Sequence, residues 1–499
     1  MGAPRGTPGT PGTPGTNGLE RGLGLGQATA VNITQIVGAG VFATIPLILG
    51  VLPGPYALLA WLVAGVLILF DSLIWGELGA ALPAAGGSYH FLLESYGRHR
   101  WGRLMAFLFV WQILISGPLE IGSGLVAAAQ FSTAFSAVKQ FDEEHTRTLE
   151  VEIESAEPPE KPKTVGVAIG PTRLFGFALG VAIIALLYRR VTTLGKLSVV
   201  FLIGVFAVLI WVIVEGALRF DPATAFDATL SEGEQPKNWG LALGAGMALA
   251  IFSYFGYYNV CYLGAEVRHP ARTIPRSIVL SALVVVVLFT LTHLAIVGVM
   301  PWREAAKETD NLTAKFMYDL HGAWARNLVT LLLIGSCFAS CFSGMLGYSR
   351  VPYAAAKEGH FFRWFAAVHP RLHIPHRALL LIGAMVLFWS FFSLGDIINA
   401  LIATRILEQF VAQVFGVILL RHLQPGRPRP WKMWLYPLPC LVALVGWLFV
   451  YISTGTLFIA IGATTLAAGL VVFVAWAARR GEWPFKPAGP VAGGPEPEA

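Results

Sequence analysis

Hydrophobic runs separated by short polar segments make up most of this 499-residue chain. About 20 apolar residues in a helix cross the ~30 Å hydrocarbon layer of a bilayer, and most of the runs reach that length. The alternation of apolar and polar residues that is typical of membrane β-barrels does not occur in them. The pattern predicts an all-α membrane protein with about 12 transmembrane helices, at residues 28–50, 56–82, 102–131, 174–188, 192–217, 240–264, 277–300, 325–349, 377–394, 397–420, 434–453 and 457–478.

The segments between these runs alternate in charge. Basic loops lie at 98–103, 268–276 and 350–377, and acidic or balanced loops lie at 142–160, 221–234 and 304–319. Loops rich in Lys and Arg stay on the cytoplasmic side of a membrane. The alternation therefore predicts that both termini are cytoplasmic and that residues 137–172 form an external loop.

Polar segments outside the runs have their own patterns. Residues 1–24, which contain Thr-Pro-Gly repeats, and residues 484–499 are predicted to be disordered tails, because neither composition can bury a core. In the external loop, residues 148–154 and 164–169 alternate between apolar and polar positions, which favours a small β-hairpin. A disordered acidic loop is the alternative.

The composition agrees with a lipid-facing surface. Charged residues make up 13% of the chain and hydrophobic residues 55%, and the mean hydropathy is +0.65. A soluble protein carries about 25% charged residues, so several soluble domains are excluded. The net charge of +6 is scattered between the apolar runs, which excludes a nucleic-acid-binding patch.

No motif of an enzyme or of a cofactor site stands out in the sequence. A Gly-x-Ser-x-Gly elbow and a Walker-type phosphate loop are both missing, which argues against a hydrolase and against an ATP-driven pump. We therefore expect neither a cofactor nor a metal. The cysteines lie in apolar runs and are predicted to be buried thiols without a disulfide framework, namely Cys261, Cys337, Cys341 and Cys440.

Two of the predicted spans contain glycines where a helix could break. The first has Gly38, Ala39 and Gly40 near its middle, and the sixth has Gly256 among polar aromatic residues and Asn259. A break in the membrane exposes backbone groups that need a polar partner. Small residues also allow two helices to cross closely, and this alternative explains the first cluster equally well.

The two breaks lie five spans apart, which is typical of an inverted-repeat transporter. This spacing predicts a first repeat at 25–217 and a second at 239–421, with two further helices at 430–480. Free N–H groups at half-helix N-termini attract a carboxylate, and free carbonyls attract an ammonium group. The pattern therefore favours binding of a zwitterionic amino acid.

Three motifs resemble those of the amino acid–polyamine–organocation superfamily. They are Gly38-Ala-Gly-Val-Phe42 followed by Pro46, Gly264-Ala-Glu-Val-Arg-His-Pro-Ala-Arg-Thr-Ile-Pro-Arg276, and Ser349-Arg-Val-Pro-Tyr-Ala-Ala-Ala-Lys-Glu-Gly-His360 with Val368-His-Pro370. The details are most similar to L-type amino-acid transporters and bacterial amino-acid permeases. The resemblance implies a LeuT-type fold of five plus five inverted helices, and secondary transport by alternating access.

The resemblance also implies a substrate site at the two breaks. It assigns the carboxylate to backbone N–H groups of Gly38, Ala39 and Gly40, and the amine to the carbonyls of Ile36, Phe252 and Ser253. Phe255 and Tyr257 would line the side-chain pocket. Related sequences often have a second glycine at position 255 and a serine at position 39, so Phe255 should narrow the pocket towards small or medium neutral substrates.

Lys196 begins the fifth predicted span. The resemblance places its ammonium where sodium-coupled relatives hold a sodium ion, with Ser340 and Ser343 as oxygen neighbours, and so implies sodium independence. A lysine that extends to the cytoplasmic surface is the alternative, and a role in proton coupling stays open.

Other ionisable residues occur inside the predicted spans. Glu120 in the third span could contact a substrate, which would favour polyamines or other organic amines as the alternative substrate class. It could instead pair with Arg405 in the tenth span, where Glu408 is a competing partner, and we expect such structural pairing. Asp71 and Glu77 are expected to pair with basic internal loops.

Some animal relatives are joined to a heavy-chain glycoprotein through a cysteine between helices 3 and 4. Residues 137–172 contain no cysteine, so no such partner is predicted. The expected partners are the lipid bilayer of the plasma membrane and a small-molecule substrate.

Overall fold

The computed structural model describes residues 21–38, 40–153, 163–188, 191–372 and 374–482. The helices of the first half are α1 (Leu25–Ile36), α2 (Gly40–Val51), α3 (Ala57–Ala81), α4 (Ser88–Ser95), α5 (Gly102–Ser132), α6 (Ser136–His145), α7 (Pro171–Leu187), α8 (Val191–Leu218) and α9 (Pro222–Ala225). Those of the second half are α10 (Trp239–Tyr254), α11 (Asn259–Tyr262), α12 (Pro270–Val297), α13 (Trp302–Ala305), α14 (Leu312–His321), α15 (Ala323–Tyr348), α16 (Arg350–Lys357), α17 (His376–Trp389), α18 (Leu394–Arg405), α19 (Ala412–Leu423), α20 (Leu438–Ser453) and α21 (Thr456–Arg479).

Within these described ranges, six helices are long and apolar enough to cross a membrane, and the bent pair α1 and α2 is a seventh candidate. Five further apolar helical segments are shorter, at Pro171–Leu187, Phe206–Leu218, Trp239–Tyr254, His376–Trp389 and Leu438–Ser453. The second of these is the C-terminal part of α8. The prediction of a helical membrane protein is confirmed at this level. The count of twelve spans, the inverted repeat, its boundaries and the cytoplasmic termini stay predictions.

The helices place apolar residues outside and many polar residues inside. Leu62 and Val66 of α3 and Leu283 and Val287 of α12 are exposed. Asn32, Gln112, Arg405 and other polar side chains are buried between helices. Lipid can cover the apolar exterior, whereas polar groups inside the protein need partners from neighbouring helices. The core therefore depends on hydrogen bonds as well as on packing.

The hairpin predicted within residues 137–172 is present. Strand β1 (Arg147–Ile153) pairs antiparallel with β2 (Lys163–Ile169), with Arg147 opposite Ile169. Ala168 N–H donates to the Phe391 carbonyl at 3.0 Å, which ties the hairpin to the segment after α17. The hairpin interpretation is confirmed for the strands, and residues 154–162 between them lie outside the described residues.

Most of the two predicted tails also lies outside the described ranges, which begin at residue 21 and end at residue 482. Residues 21–24 of the first tail are described. Gly22 and Leu23 N–H groups donate to the Glu266 carbonyl at 2.9 and 3.0 Å, and Arg268 N–H donates to the Leu23 carbonyl at 2.8 Å. These bonds attach the start of α1 to the segment that follows α11.

A cluster of ionisable residues joins α4 to the segment after α16. His90 Nε2 lies 3.0 Å from Glu358 Oε1, and the Tyr89 hydroxyl lies 2.6 Å from His360 Nδ1. Burial lowers the pKa of His360 to about 4, so its neutral ring can accept the bond from Tyr89. Burial alone would raise the pKa of Glu358, but the His90 bond and the Arg98 charge keep that pKa below its ordinary value.

This cluster predicts a loss of stability in acid. An unfolded histidine has a pKa of about 6.5, so between about pH 6.5 and 4 the unfolded chain binds a proton that the folded chain does not. The thermal unfolding midpoint of the purified protein should therefore fall as the pH is lowered through this window. His360→Gln should flatten that dependence, whereas His422→Gln, at an exposed position, should leave it unchanged. An undiminished pH dependence in His360→Gln would contradict the assignment.

Candidate substrate site

The first predicted span is broken as expected. Helix α1 ends at Ile36, α2 begins at Gly40, and their axes differ by 41°. Val37 has φ −85° and ψ 75°, and Gly38 N–H donates to the Ile36 carbonyl at 3.0 Å, which together form an inverse γ-turn. Ala39 lies outside the described residues. The chain therefore leaves helical geometry between Ile36 and Gly40.

The sixth predicted span is broken too. Helix α10 ends at Tyr254 and α11 begins only at Asn259, and Gly256 between them has φ +115°. A side chain is strained in that region of φ. A Cβ atom on Gly256 would also lie 2.4 Å from Gln35 Cγ and 3.1 Å from Ile36 N. Glycine is therefore required both for the turn and for the close approach of the two breaks.

Small residues bring further helices against the first break. A Cβ atom on Gly38 would lie 2.6 Å from Ser340 Cβ in α15, and one on Gly40 would lie 2.8 Å from Ser253 Cα in α10. The hydroxyls of Thr44 and Ser253 are hydrogen-bonded at 2.8 Å. Both sequence interpretations therefore hold for this cluster, because the glycines break the helix and also allow a close crossing.

A small cavity of about 30 Å³ lies between the two breaks. Its lining residues come from α1, α2, α5, α10, α15 and the two breaks, and they are Gln35, Ile36, Gly38, Gly40, Glu120, Ser123, Gly124, Phe252, Phe255 and Ser340. This space can hold water but is too small for an amino acid. An amino acid therefore requires the surrounding helices to move apart.

The structure places most of the predicted substrate residues at this cavity. Ile36, Gly38, Gly40, Phe252 and Phe255 line it. The Ile36 carbonyl accepts from Gly38 N–H, and the Phe252 carbonyl accepts from Phe255 N–H at 3.3 Å. These backbone groups bond to each other in this conformation, so a bound substrate would have to replace these local hydrogen bonds.

Two of the predicted substrate residues lie beside the cavity rather than in its lining. Ser253 faces Gly40 and Thr44, as described above. The hydroxyl of Tyr257 donates to Asp71 in α3 and is buried there. Tyr257 therefore connects the second break to α3 through this hydrogen bond.

Ser340 and Ser343 bond to backbone carbonyls near the end of α1. The Ser340 hydroxyl donates to the Gln35 carbonyl at 2.6 Å, and the Ser343 hydroxyl donates to the Val31 carbonyl at 3.1 Å. Helix α8, which contains Lys196, packs against both α1 and α15. The Lys196 side chain lies outside the described part, so its cation role stays a prediction.

Glu120 forms an ion pair with Arg405 at one side of the cavity. The second carboxylate oxygen, Oε1, accepts from Gln35 Nε2 at 2.9 Å, while Oε2 also accepts from the Tyr348 hydroxyl at 2.5 Å. Arg405 has no exposed surface and also donates to the Tyr258 hydroxyl at 3.1 Å. Its partner is therefore Glu120, and within the described residues it forms no ion pair with Glu408.

Several contributors to this site were missed by the sequence interpretation. Gln35 lies in the cavity lining, and its Oε1 atom is buried without a hydrogen-bond partner in the described part of the chain. Asn32 Oδ1 accepts from Val260 N–H at 2.9 Å, and Asn259 Nδ2 donates to the Ser343 hydroxyl at 3.2 Å. The sequence did contain a signal for these three residues, because each is a side-chain amide within an apolar run.

Comparison with known proteins assigns the family. The profile of the amino acid permease family matches residues 23–477, which is most of the chain. The chain belongs to this family. It is therefore an integral membrane protein of a class of transporters, not of enzymes, and the resemblance to amino-acid permeases is confirmed.

Several characterised relatives cover nearly the whole chain. The serine/threonine exchanger SteT of Bacillus subtilis is 27% identical over 88% of this chain and 92% of its own. The branched-chain amino acid permease BcaP of the same bacterium is 24% identical over 91% of this chain and 92% of its own. The cystine/glutamate transporter of Homo sapiens is 27% identical over 84% of this chain and 77% of its own. Amino acid transport is thus supported by relatives of different selectivity.

Gly256→Ala should separate the two breaks. The positive φ would cost about 1–3 kcal/mol, and the added Cβ atom would displace Gln35 from the cavity. We expect the apparent affinity for the transported amino acid to fall about tenfold or more, since about 1.4 kcal/mol corresponds to a factor of ten. The measurement is concentration-dependent uptake into proteoliposomes at matched protein content.

Gly335→Ala is the matched control for this substitution. Gly335 lies within α15, and a Cβ atom there would have no heavy atom within 4 Å. Alanine also favours a helix over glycine, so this variant should be as stable as the wild type or more so. Normal affinity in Gly256→Ala, or an equal loss in both variants, would show that the approach of the breaks is not needed for binding.

Proposed function

We propose that this protein carries small or medium neutral amino acids across the plasma membrane by alternating access and without sodium. The observation that carries the proposal is the meeting of two helix breaks at one buried cavity. Unwound backbone supplies N–H groups and carbonyls at the same place, which suits a solute with a carboxylate and an ammonium group. Amino acid carriers among the relatives support this substrate class.

The free acceptor at Gln35 supports binding of the amine. Gln35 lines the cavity beside Ile36 and Phe252, whose carbonyls are the proposed amine ligands, and its Oε1 atom is buried without a hydrogen-bond partner in the described part of the chain. An ammonium group has three donors and would satisfy this acceptor as well as backbone carbonyls. On the other side, N–H groups of Gly38, Ala39 and Gly40 are the proposed carboxylate ligands.

The Glu120–Arg405 pair favours neutral side chains over polyamines. Glu120 is the acidic residue among the described lining residues, and Arg405 cancels its charge. A diamine needs a carboxylate that is free to balance its second charge, and here that carboxylate already binds a guanidinium group. Phe255 covers the same guanidinium group, with Arg405 Cζ 5.3 Å from the ring centroid, and narrows the pocket.

The proposal includes the LeuT-type arrangement of five plus five helices, two further helices and cytoplasmic termini. The position of the two breaks in the first and sixth predicted spans supports it. Lys196 would place its ammonium between α1 and α15, where Ser340 and Ser343 lie. A permanent cation at that place would remove the need for sodium.

Uptake into proteoliposomes tests the transport proposal directly. We expect labelled neutral amino acids to accumulate equally with sodium and with choline as the external cation, and diamines to be excluded. Gly40→Leu should abolish uptake, because even a Cβ atom at this position would lie 2.8 Å from Ser253 Cα. A sodium requirement would exclude the Lys196 role, and selective uptake of diamines would favour the polyamine alternative.

Glu120→Gln tests the ion pair. Removal of one partner leaves Arg405 as a buried unpaired cation, which costs about 3–5 kcal/mol. The variant should unfold at a lower temperature than the wild type, and acidic amino acids should compete better with neutral ones for uptake. The measurements are thermal unfolding in detergent and competition in proteoliposomes.

The double variant Glu120→Gln with Arg405→Met is the control for this test. It removes both charges and should recover most of the lost stability, because no unpaired ion remains. In the double variant, acidic amino acids should compete with neutral ones for uptake no better than in the wild type. Full stability of the single variant, or no recovery in the double variant, would contradict the proposed pairing energy.

A further inference from the structure

Asp71 is a carboxylate inside the transmembrane region without a cationic partner. It lies in α3, and only 1% of its surface is exposed. Trp447 Nε1 donates to its Oδ1 atom at 3.1 Å, and the Tyr257 hydroxyl donates to Oδ2. In the described part of the chain no Lys or Arg pairs with it. Within the described residues, Asp71 therefore does not make the expected pair with a basic internal loop.

Glu77 shows what such a pairing looks like in the same helix. Arg421 donates to both of its carboxylate oxygens, at 2.9 and 2.5 Å, and Arg429 lies 3.7 Å away. Glu77 therefore has cationic partners that balance its charge. Asp71 is bonded only to neutral donors, so in the described part of the chain its charge is not balanced by a cation.

Other ionisable groups on the elements around the buried face of α3 do not balance the charge of Asp71. Those that are buried or half-buried are Tyr254, Tyr257, Tyr258, Cys261, His293, Arg421, Cys440 and Tyr451, and Arg272 of α12 is exposed. The cation among them, Arg421, is bonded to Glu77. His293 Nδ1 accepts from Trp61 Nε1 at 3.2 Å, about three turns along α3 from Asp71. Arg276 of α12 is exposed.

The contacts of Asp71 suit both the ionised and the protonated carboxyl group. A phenol can donate a hydrogen bond to a carboxylate, and it can accept one from a carboxylic acid after its hydroxyl rotates. The Asp71–Tyr257 pair can therefore persist in either state with the direction of its hydrogen bond reversed, which allows reversible proton binding at this place. The charge that Tyr257 and Trp447 face differs between the two states.

Both partners of Asp71 connect it to the second helix break. Tyr257 directly follows Gly256, the residue whose backbone leaves helical geometry. Trp447 stacks on Phe410 with ring centroids 3.9 Å apart, and Phe410 stacks on Phe255 at 5.6 Å. Phe255 lines the cavity. A change of bonding at Asp71 is thus transmitted to the residues on either side of Gly256.

We propose that Asp71 is the proton-binding site that couples amino acid transport to a proton gradient. The proposal rests on the transport function proposed above. Asp71 takes a proton from the external solution when the cavity opens outward, and it returns that proton to the cytoplasm when the cavity opens inward. One proton and one amino acid then cross together, and no covalent bond other than the O–H bond forms or breaks.

Glu408 is the matched comparison. It is a buried carboxylate in the π-helical turn Ile406–Val411, and within the described residues no Lys or Arg pairs with it. However, in the part of the chain that the structure describes, no side-chain hydrogen bond links Glu408 to the second break. Glu408→Gln should therefore leave proton coupling unchanged, whereas Asp71→Asn should remove it while preserving the shape of the side chain.

The test uses the full-length protein in proteoliposomes that contain a pH-sensitive dye. In the wild type and in Glu408→Gln, inward movement of an amino acid should acidify the lumen. Asp71→Asn should still exchange labelled for unlabelled amino acid at equal pH on both sides, but lumen acidification should fall to the level of protein-free liposomes. Acidification by Asp71→Asn, or its loss in Glu408→Gln, would overturn the proposal.

Trp447→Phe keeps the proposal testable where Asp71→Asn does not fold. This variant retains the carboxyl group and an aromatic ring but removes one donor to the carboxylate. The Asp71 carboxylate then has one donor fewer, so the external pH at which uptake is half-maximal should move upward. An unchanged value would overturn the proposal. Net amino acid uptake without lumen acidification in the wild type would overturn this inference alone. A wild type that carries no amino acid would overturn the transport proposal and this inference together.

Discussion

The constraint on which this structure depends is that backbone N–H and carbonyl groups inside a membrane need polar partners. An unbroken helix provides them internally. This chain leaves helical geometry in two apolar helices, between Ile36 and Gly40 and again between Tyr254 and Asn259. The two irregular segments are placed against each other, so that they are covered by protein, and the cavity between them is the substrate site that we propose.

Side chains from neighbouring helices stabilise these segments without filling the cavity. Asn32 accepts from the Val260 N–H group, and the hydroxyls of Ser340 and Ser343 donate to carbonyls near the end of α1. Glu120 joins the amide of Gln35 to the guanidinium group of α18 through its two oxygens. The network connects α1, α5, α11, α15 and α18, so a movement of the first break must also change contacts far from it along the chain.

The sequence predicts the breaks well and their partners poorly, for physical reasons. Gly256 is predictable because a positive φ and a close backbone approach both require glycine. The pairing of Glu120 with Arg405 was among the alternatives, because a charge in a span requires a partner. In contrast, Tyr257 was expected in the pocket but bonds to Asp71, whose own expected partner was a basic loop. Such contacts depend on how helices distant in sequence pack, which local patterns do not encode.

The most direct test of the central claim uses substrate analogues that lack one charge of the head group. Uptake of a neutral amino acid should be inhibited by the unlabelled parent compound. It should not be inhibited by the N-acetyl derivative, which cannot provide an ammonium group for the carbonyl side, or by the methyl ester, which cannot provide a carboxylate for the N–H side. Inhibition by both derivatives as strong as that by the parent would contradict recognition of the head group at the paired helix breaks.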